Sequence, residues 1–195
     1  MRKSKYIKTI LLVLIFAQVT LLCSQTTSAT IYKVSVTKYT QEKLNWCWAA
    51  CAQMLGKYYY KNMSQTTICK KTMKQVVDKT ANAGEMVVAL QHATNRHVVW
   101  KGKQKLNVLV NELKEKRPFV MEMKWDNNKF SHLYVISGAR LNVKGKSDAL
   151  YMIDPAPKVS QQYVNYRNLV NGVKLKSGTG KYKSTYFVTN HDKDW

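Results

Sequence analysis

Acidic side chains are scarce in this chain of 195 residues: 11 Asp and Glu stand against 32 Lys and Arg, a formal net charge of +21 at pH 7. Such an imbalance governs solubility and partners and says nothing about the fold. Proline, at 3, and glycine, at 8, are also few, which excludes collagen-like and low-complexity architectures. No apolar stretch reaches the roughly 20 residues that a membrane-spanning helix requires; the longest is ILLVLIFAQVTLLC at 10–23. The sequence lacks a His-Glu-x-x-His pair and any phosphate-binding glycine pattern, and His92 and His97 stand five apart with no Cys or carboxylate cluster around them. Neither a metal nor another cofactor is therefore expected. What the chain does have is 45% hydrophobic residues, enough to bury a core and to exclude wholesale disorder, in a length that suits one domain.

The start of the chain reads as an export signal. Arg2, Lys3, Lys5 and Lys8 precede the apolar run, and the small residues Thr27 and Ala29 sit three and one positions before a cut at Thr30. A lipid anchor on Cys23 fits less well, because Leu22 stands where a small residue is required. Residues 1–29 are thus expected to leave, giving a secreted, extracellular protein of residues 30–195. Removal of four basic and no acidic residues leaves a charge of +17. Anionic wall polymers, membrane surfaces or acidic proteins then become possible partners, a solvated basic face with no specific target is the alternative, and specific nucleic acid is not expected. A monomer is expected.

Three cysteines remain after the cut, Cys47, Cys51 and Cys69, and an odd count in an oxidising compartment leaves one thiol unpaired. Cys47 and Cys51 lie four apart on a predicted helix, where a strain-free bridge is hard to build. A Cys51–Cys69 disulfide with Cys47 free is one outcome; three reduced, buried thiols is the other.

The pattern changes character near Pro118. Before it, Cys47, Ala50, Cys51, Met54 and Leu55 recur at helical spacing with Asn45 placed to cap the start, and further helices are expected at 64–77, 85–93 and 106–116, with a short β segment at 97–100. After it, 119–125, 131–141, 150–154 and 185–189 read as strands separated by turn material at 126–128, 144–147 and 177–180. A helical lobe at about 30–117 followed by an antiparallel β lobe at about 118–195 is an α+β layout.

Within this frame one group of residues has the composition of a nucleophilic site. A cysteine in the first turn of a helix lies where the backbone N–H groups and the helix dipole favour thiolate over thiol, and Cys47 has that place. An attacking thiolate needs a proton donor for the leaving group, an orienting partner for that donor and a polar hydrogen for the oxyanion. His132 opens the most regular strand pattern and Asp154 ends the next one; in an antiparallel pair the start of one strand lies beside the end of its neighbour, so the two can meet. Asp148 and Asn142 are substitutes for the orienting role. Gln41 can offer an amide N–H beside that of Cys47. His92, His97 and His191 read as structural or exposed.

The segment at 41–51, QEKLNWCWAAC, together with Ser131-His132 and Ile153-Asp154-Pro155, resembles the papain-like cysteine peptidases, above all the compact bacterial branch that includes bacteriocin-processing peptidase domains and secreted effector proteases. A Gln six residues before a Cys-Trp pair is part of that resemblance, and the order of elements is similar over nearly the whole mature chain. The resemblance implies a papain-like cysteine proteinase fold and an endopeptidase acting on protein or peptide substrates. Its catalytic residues are then Cys47 as nucleophile, His132 as general acid and base, Asp154 as orienting residue and Gln41 as oxyanion donor, with Trp48 as a wall of the substrate site. Two departures stand out. Asn45-Trp46 replaces the Gly-Ser that commonly precedes the nucleophile's Cys-Trp, and the orienting residue is Asp rather than Asn. Two other readings share part of the pattern: a thiol enzyme acting on peptidoglycan or transferring acyl groups, and a cationic binding module or toxin without catalysis.

Overall fold

The computed structural model describes residues 28–126 and 130–192, with side chains through residue 189. The expected export signal lies, through residue 27, outside the described residues, as do Asn127 and Asn128 of the expected turn. The described chain runs β1 (Thr30–Lys33), α1 (Cys47–Tyr58), α2 (Gln65–Met73), α3 (Ala83–Thr94), β2 (Arg96–Gly102), α4 (Leu106–Lys114), β3 (Phe119–Trp125), β4 (Ser131–Leu141), β5 (Ala149–Ile153), β6 (Gln162–Asn165), α5 (Tyr166–Asn171), β7 (Val173–Leu175) and β8 (Gly178–Asp192). The strands form one antiparallel sheet in the order β2-β8-β3-β4-β5-β6, with β1 added to β4 and β7 to β8. This is the α+β arrangement expected from the pattern change at Pro118.

Alternation along the central strands sorts their side chains between two cores. Val120 of β3 and Leu133 and Val135 of β4 face α1, α2 and α3, whereas Phe119, Met121, Tyr134 and Ile136 face Leu109 and Leu113 of α4 and Leu169 of α5. Helix α1 is buried from Cys47 through Gly56, which fits its small, apolar sequence CWAACAQMLG. Gly56 permits α1 and α3 to close on each other, since a Cβ there would come within 2.7 Å of the Ala93 carbonyl oxygen.

Several expectations need correction. Asn45 does not cap α1: Trp46 holds the cap position without a side-chain bond, and Asn45 instead binds Asp78 through its backbone N–H and its amide. Helix α2 starts after Ser64, as expected, but stops at Met73 because Lys74 turns left-handed at φ 63°. The segment at 177–180 is mostly strand, paired with β7 and β3. Cys47, Cys51 and Cys69 are all unbridged and buried, so the Cys51–Cys69 disulfide is absent. The Cys69 thiol lies 3.5 Å from the carbonyl oxygens of both Gln75 and Val77, as a thiol donor would.

Candidate active site

The site forms where the start of α1 meets the ends of β4 and β5. Two indoles fix the helix start: Trp46 donates from Nε1 to the Val77 carbonyl at 2.8 Å and Trp48 to that of Lys79 at 3.0 Å. Both rings are buried with their single donor satisfied. Cys47 is the first helical residue, with no side-chain cap ahead of it and no acidic residue in the first turn. The first-turn N–H groups and the positive end of the dipole therefore act on Cys47 without competition from a carboxylate.

His132 enters from β4. Its Nε2 meets Asp154 Oδ1 at 2.8 Å, and a further hydrogen bond joins the ring to the Cys47 side chain, for which Nδ1 is the nitrogen left. The ring is held on its face by Trp125, stacked at 5.9 Å and 16° between planes, and on its edge by Tyr134 at 4.8 Å. Trp125 can lie there because Gly178 and Gly180 carry no side chain; a Cβ on either would come within 2.8 Å of the indole. Asp154 follows β5 and accepts the Ala156 N–H at 2.8 Å in addition to His132. Ser177, in the turn between β7 and β8, also hydrogen-bonds Asp154, and Tyr134 and Ser177 hydroxyls stand 2.6 Å apart. Since a carboxylate only accepts, Ser177 donates to Asp154 and Tyr134 donates to Ser177. One hydrogen-bonded row thus runs Tyr134, Ser177, Asp154, His132, Cys47.

Charge follows this row. Burial acts to lower the His132 pKa, but the bonds to Asp154 and Cys47 and their negative charge overcome it and raise the value to about 9. Burial likewise acts to raise Asp154, and the His132, Ala156 and Ser177 donors hold it below the usual carboxylate range. Burial, reinforced by the charges of Cys47 and Asp154, pushes the Cys51 thiol up, so that thiol stays protonated one turn from Cys47.

The remaining sequence candidates fall elsewhere or take other partners. Gln41 stands beside the site, with its backbone N–H on the Pro155 carbonyl at 2.8 Å. Its carboxamide, however, does not face an oxyanion position: Nε2 donates to the carbonyls of Lys43 at 2.9 Å and Leu44 at 2.6 Å, and Oε1 is buried without a partner. The loop that carries Gln41 is braced by buried Gln65, which binds the Thr40 carbonyl, the Glu42 N–H and Gln53. Asp148 closes the β4–β5 turn by accepting the Asn142 N–H, which removes both as substitutes for Asp154. Trp48 does line the cleft that opens beside Cys47, a space of about 290 Å³, although its ring is only 1% exposed. Sequence reasoning missed Ser177 and Tyr134, which stand in segments read as turn and as core strand, and Gln65, a polar residue on a helical face.

A family model described as papain-like cysteine protease AvrRpt2 matches residues 28–169. Among solved structures, a Bacillus anthracis protein described as a C39-like peptidase superposes with a TM-score of 0.58 at 10% identity, covering 84% of this chain and 100% of its own. The peptidase domain of Streptococcus ComA, a bifunctional ABC transporter of a quorum-sensing pathway, gives 0.52 at 15% identity over 81% of this chain and 99% of its own. At these identities the two likenesses speak for a shared fold. Among curated proteins, none matches the sequence.

Proposed function

The chain belongs to the papain-like cysteine protease family of AvrRpt2, and on that premise we propose that it hydrolyses peptide bonds through Cys47, His132 and Asp154. The observation that carries this reading is the continuous hydrogen bonding from Asp154 through His132 to Cys47 at the uncapped start of α1.

In this mechanism the Cys47 thiolate attacks the peptide carbonyl carbon; the S–C bond forms as the carbonyl π pair moves to oxygen. The oxyanion is met by the Cys47 backbone N–H. On collapse the C–N bond breaks and His132 delivers its Nδ1 proton to the leaving amine, which leaves a thioester and a neutral imidazole. That imidazole then takes a proton from water, the hydroxide adds to the thioester, and the acid departs with the thiolate restored. Asp154 holds the Nε2–H tautomer throughout.

Gln41 becomes the second oxyanion donor when its amide leaves the Lys43 and Leu44 carbonyls on substrate binding; catalytic hydrogen bonds often align only in the complex. Gln41→Ala should then lower kcat about 100-fold with little change in KM. A loss below threefold in steady-state kinetics would confine Gln41 to holding its loop.

We also propose that the protein is exported and acts after loss of residues 1–29. Both parts are tested by labelling the unreduced protein from the culture medium with iodoacetamide at about pH 6, where an ordinary cysteine is under about 1% thiolate. Mass spectrometry should find a chain beginning at Thr30, alkylated rapidly at Cys47 and not at Cys51, with labelling slowed in His132→Ala. Equal labelling rates in the two proteins would remove His132 from the activation of Cys47, and a chain still carrying its first residues would remove the export reading.

A further inference from the structure

An acid stands at a buried position of β3. In FVMEMKW, Glu122 shares the face of Val120, which packs against the helical core, and it is only 7% exposed. It lies opposite Ser184 of β8, at a shift of register between Glu122 and Met123 of the kind a β-bulge produces. The Ser184 hydroxyl binds Glu122 Oε2, and Lys183 Nζ meets Oε1 at 2.8 Å.

This carboxylate forms part of the wall of the cleft beside Cys47. The cleft is lined on one side by Trp48 and Asn82 and on the other by Leu133 and Tyr186, and Glu122 is the single acid among its described lining residues. Its volume, about 290 Å³, is near the lower end for ligand sites, which begin at about 300 Å³. The two members of the ion pair are unequally held. Glu122's side chain is 10% exposed and fixed by Ser184, whereas Lys183's is 48% exposed on a flexible stem. An ion pair that stands half in water adds little, so the ammonium can leave while the carboxylate cannot. Each carboxylate oxygen also keeps a second acceptor site for a new donor. The phenol of Tyr186 is pushed up by burial and then by the negative charge of Glu122, the electrostatic mark of an anion facing that wall.

We propose that this pocket selects a basic side chain, Lys or Arg, of the peptide substrate, placed next to the scissile bond, with Glu122 as its anionic partner and Lys183 as the internal cation that it displaces. The proposal rests on the peptidase reading above. In the empty enzyme Lys183 keeps the carboxylate paired; in the complex the substrate's ammonium or guanidinium takes that place while the stem packs on Leu133 and Tyr186.

The test is cleavage of a synthetic peptide mixture holding every residue type at each position around the cut, read by mass spectrometry, for the full mature chain and for Glu122→Gln and Lys183→Ala. The native protein should cleave peptides with Lys or Arg at one position at least tenfold faster than those with Met there. Glu122→Gln should reduce that ratio below threefold, and Lys183→Ala should raise it, since the internal competitor is gone. If Glu122→Gln does not fold, the direction of change in Lys183→Ala decides by itself. Cleavage with no basic preference, or a preference for acidic side chains, overturns the pocket assignment and leaves the peptidase reading standing. Cleavage of no peptide by the native protein removes both.

Discussion

Replacing Cys47 by alanine should lower kcat/KM for peptide hydrolysis by about 10⁶-fold, and His132→Ala should cost nearly as much. A nucleophile and its base act as one unit, so each single loss removes most of what their joint loss removes. The double variant should therefore be scarcely slower than either parent. The residual rate belongs to substrate binding and the Cys47 backbone N–H, which alanine retains. Folding is not the cause, because Cys47→Ala deletes one sulfur at a residue that is 9% exposed and makes no bridge. Single-turnover cleavage of a peptide, run beside a thermal melt, separates the two effects. Activity within tenfold of the parent in a folded Cys47→Ala protein would falsify the assignment of the nucleophile.

The next largest effect is expected at Asp154. Asp154→Ala takes the acceptor from three donors at once, the His132 Nε2–H, the Ala156 N–H and the Ser177 hydroxyl. A loss of about 10⁴-fold in kcat is expected, the size found when the orienting member of such a unit is replaced. Asp154→Asn keeps a carbonyl acceptor for His132 and should be milder. Its signature is in the pH profile. His132 must be protonated to deliver a proton to the leaving amine, so activity falls as pH rises through its pKa, about 9 in the native protein. In the Asp154→Asn variant the carboxylate charge that raises this pKa is gone while burial, which lowers it, remains. The alkaline limb of kcat/KM must therefore move to lower pH. A limb that stays near 9 would mean that Asp154 does not set the charge of the ring, and a limb moving upward would contradict the sign of the interaction.

Much of this site is readable in the sequence for definite reasons. Strands β3 and β4 have the expected bounds, because runs rich in β-branched and aromatic residues end in turn residues on both sides. Strands β4 and β5 in antiparallel order already imply that His132, at the start of one, and Asp154, at the end of the other, come together. The illegible parts depend on contacts that no local pattern records. Ser177 reaches Asp154 because β7 and β8 form a hairpin that returns to the far side of the carboxylate, and its own segment reads simply as a turn. The partners of Trp46 and Trp48 are backbone carbonyls of a loop, which any residue type supplies. Asn45 and Gln41 show the same limit in reverse. Spacing correctly puts each beside the helix start, yet the amides take partners that spacing cannot specify, Asp78 for one and the carbonyls of its own loop for the other. Glu122 falls on a polar position of the alternation in FVMEMKW, so its burial is not visible in the sequence, and its ion pair requires the β3–β8 register.

The row from Tyr134 to Cys47 is drawn from distant parts of the chain, and this sets the order in which the protein becomes competent. Cys47 lies in the first helix described, while Ser177 belongs to the last hairpin. A ribosome therefore completes the thiol's helix long before the strand that brings its base, and closing contacts so far apart in sequence is slow. During that interval Cys47 stands without His132 and the carboxylate behind it. The fold itself thus acts as a timer for the row, which is complete only once the hairpin that carries Ser177 has docked.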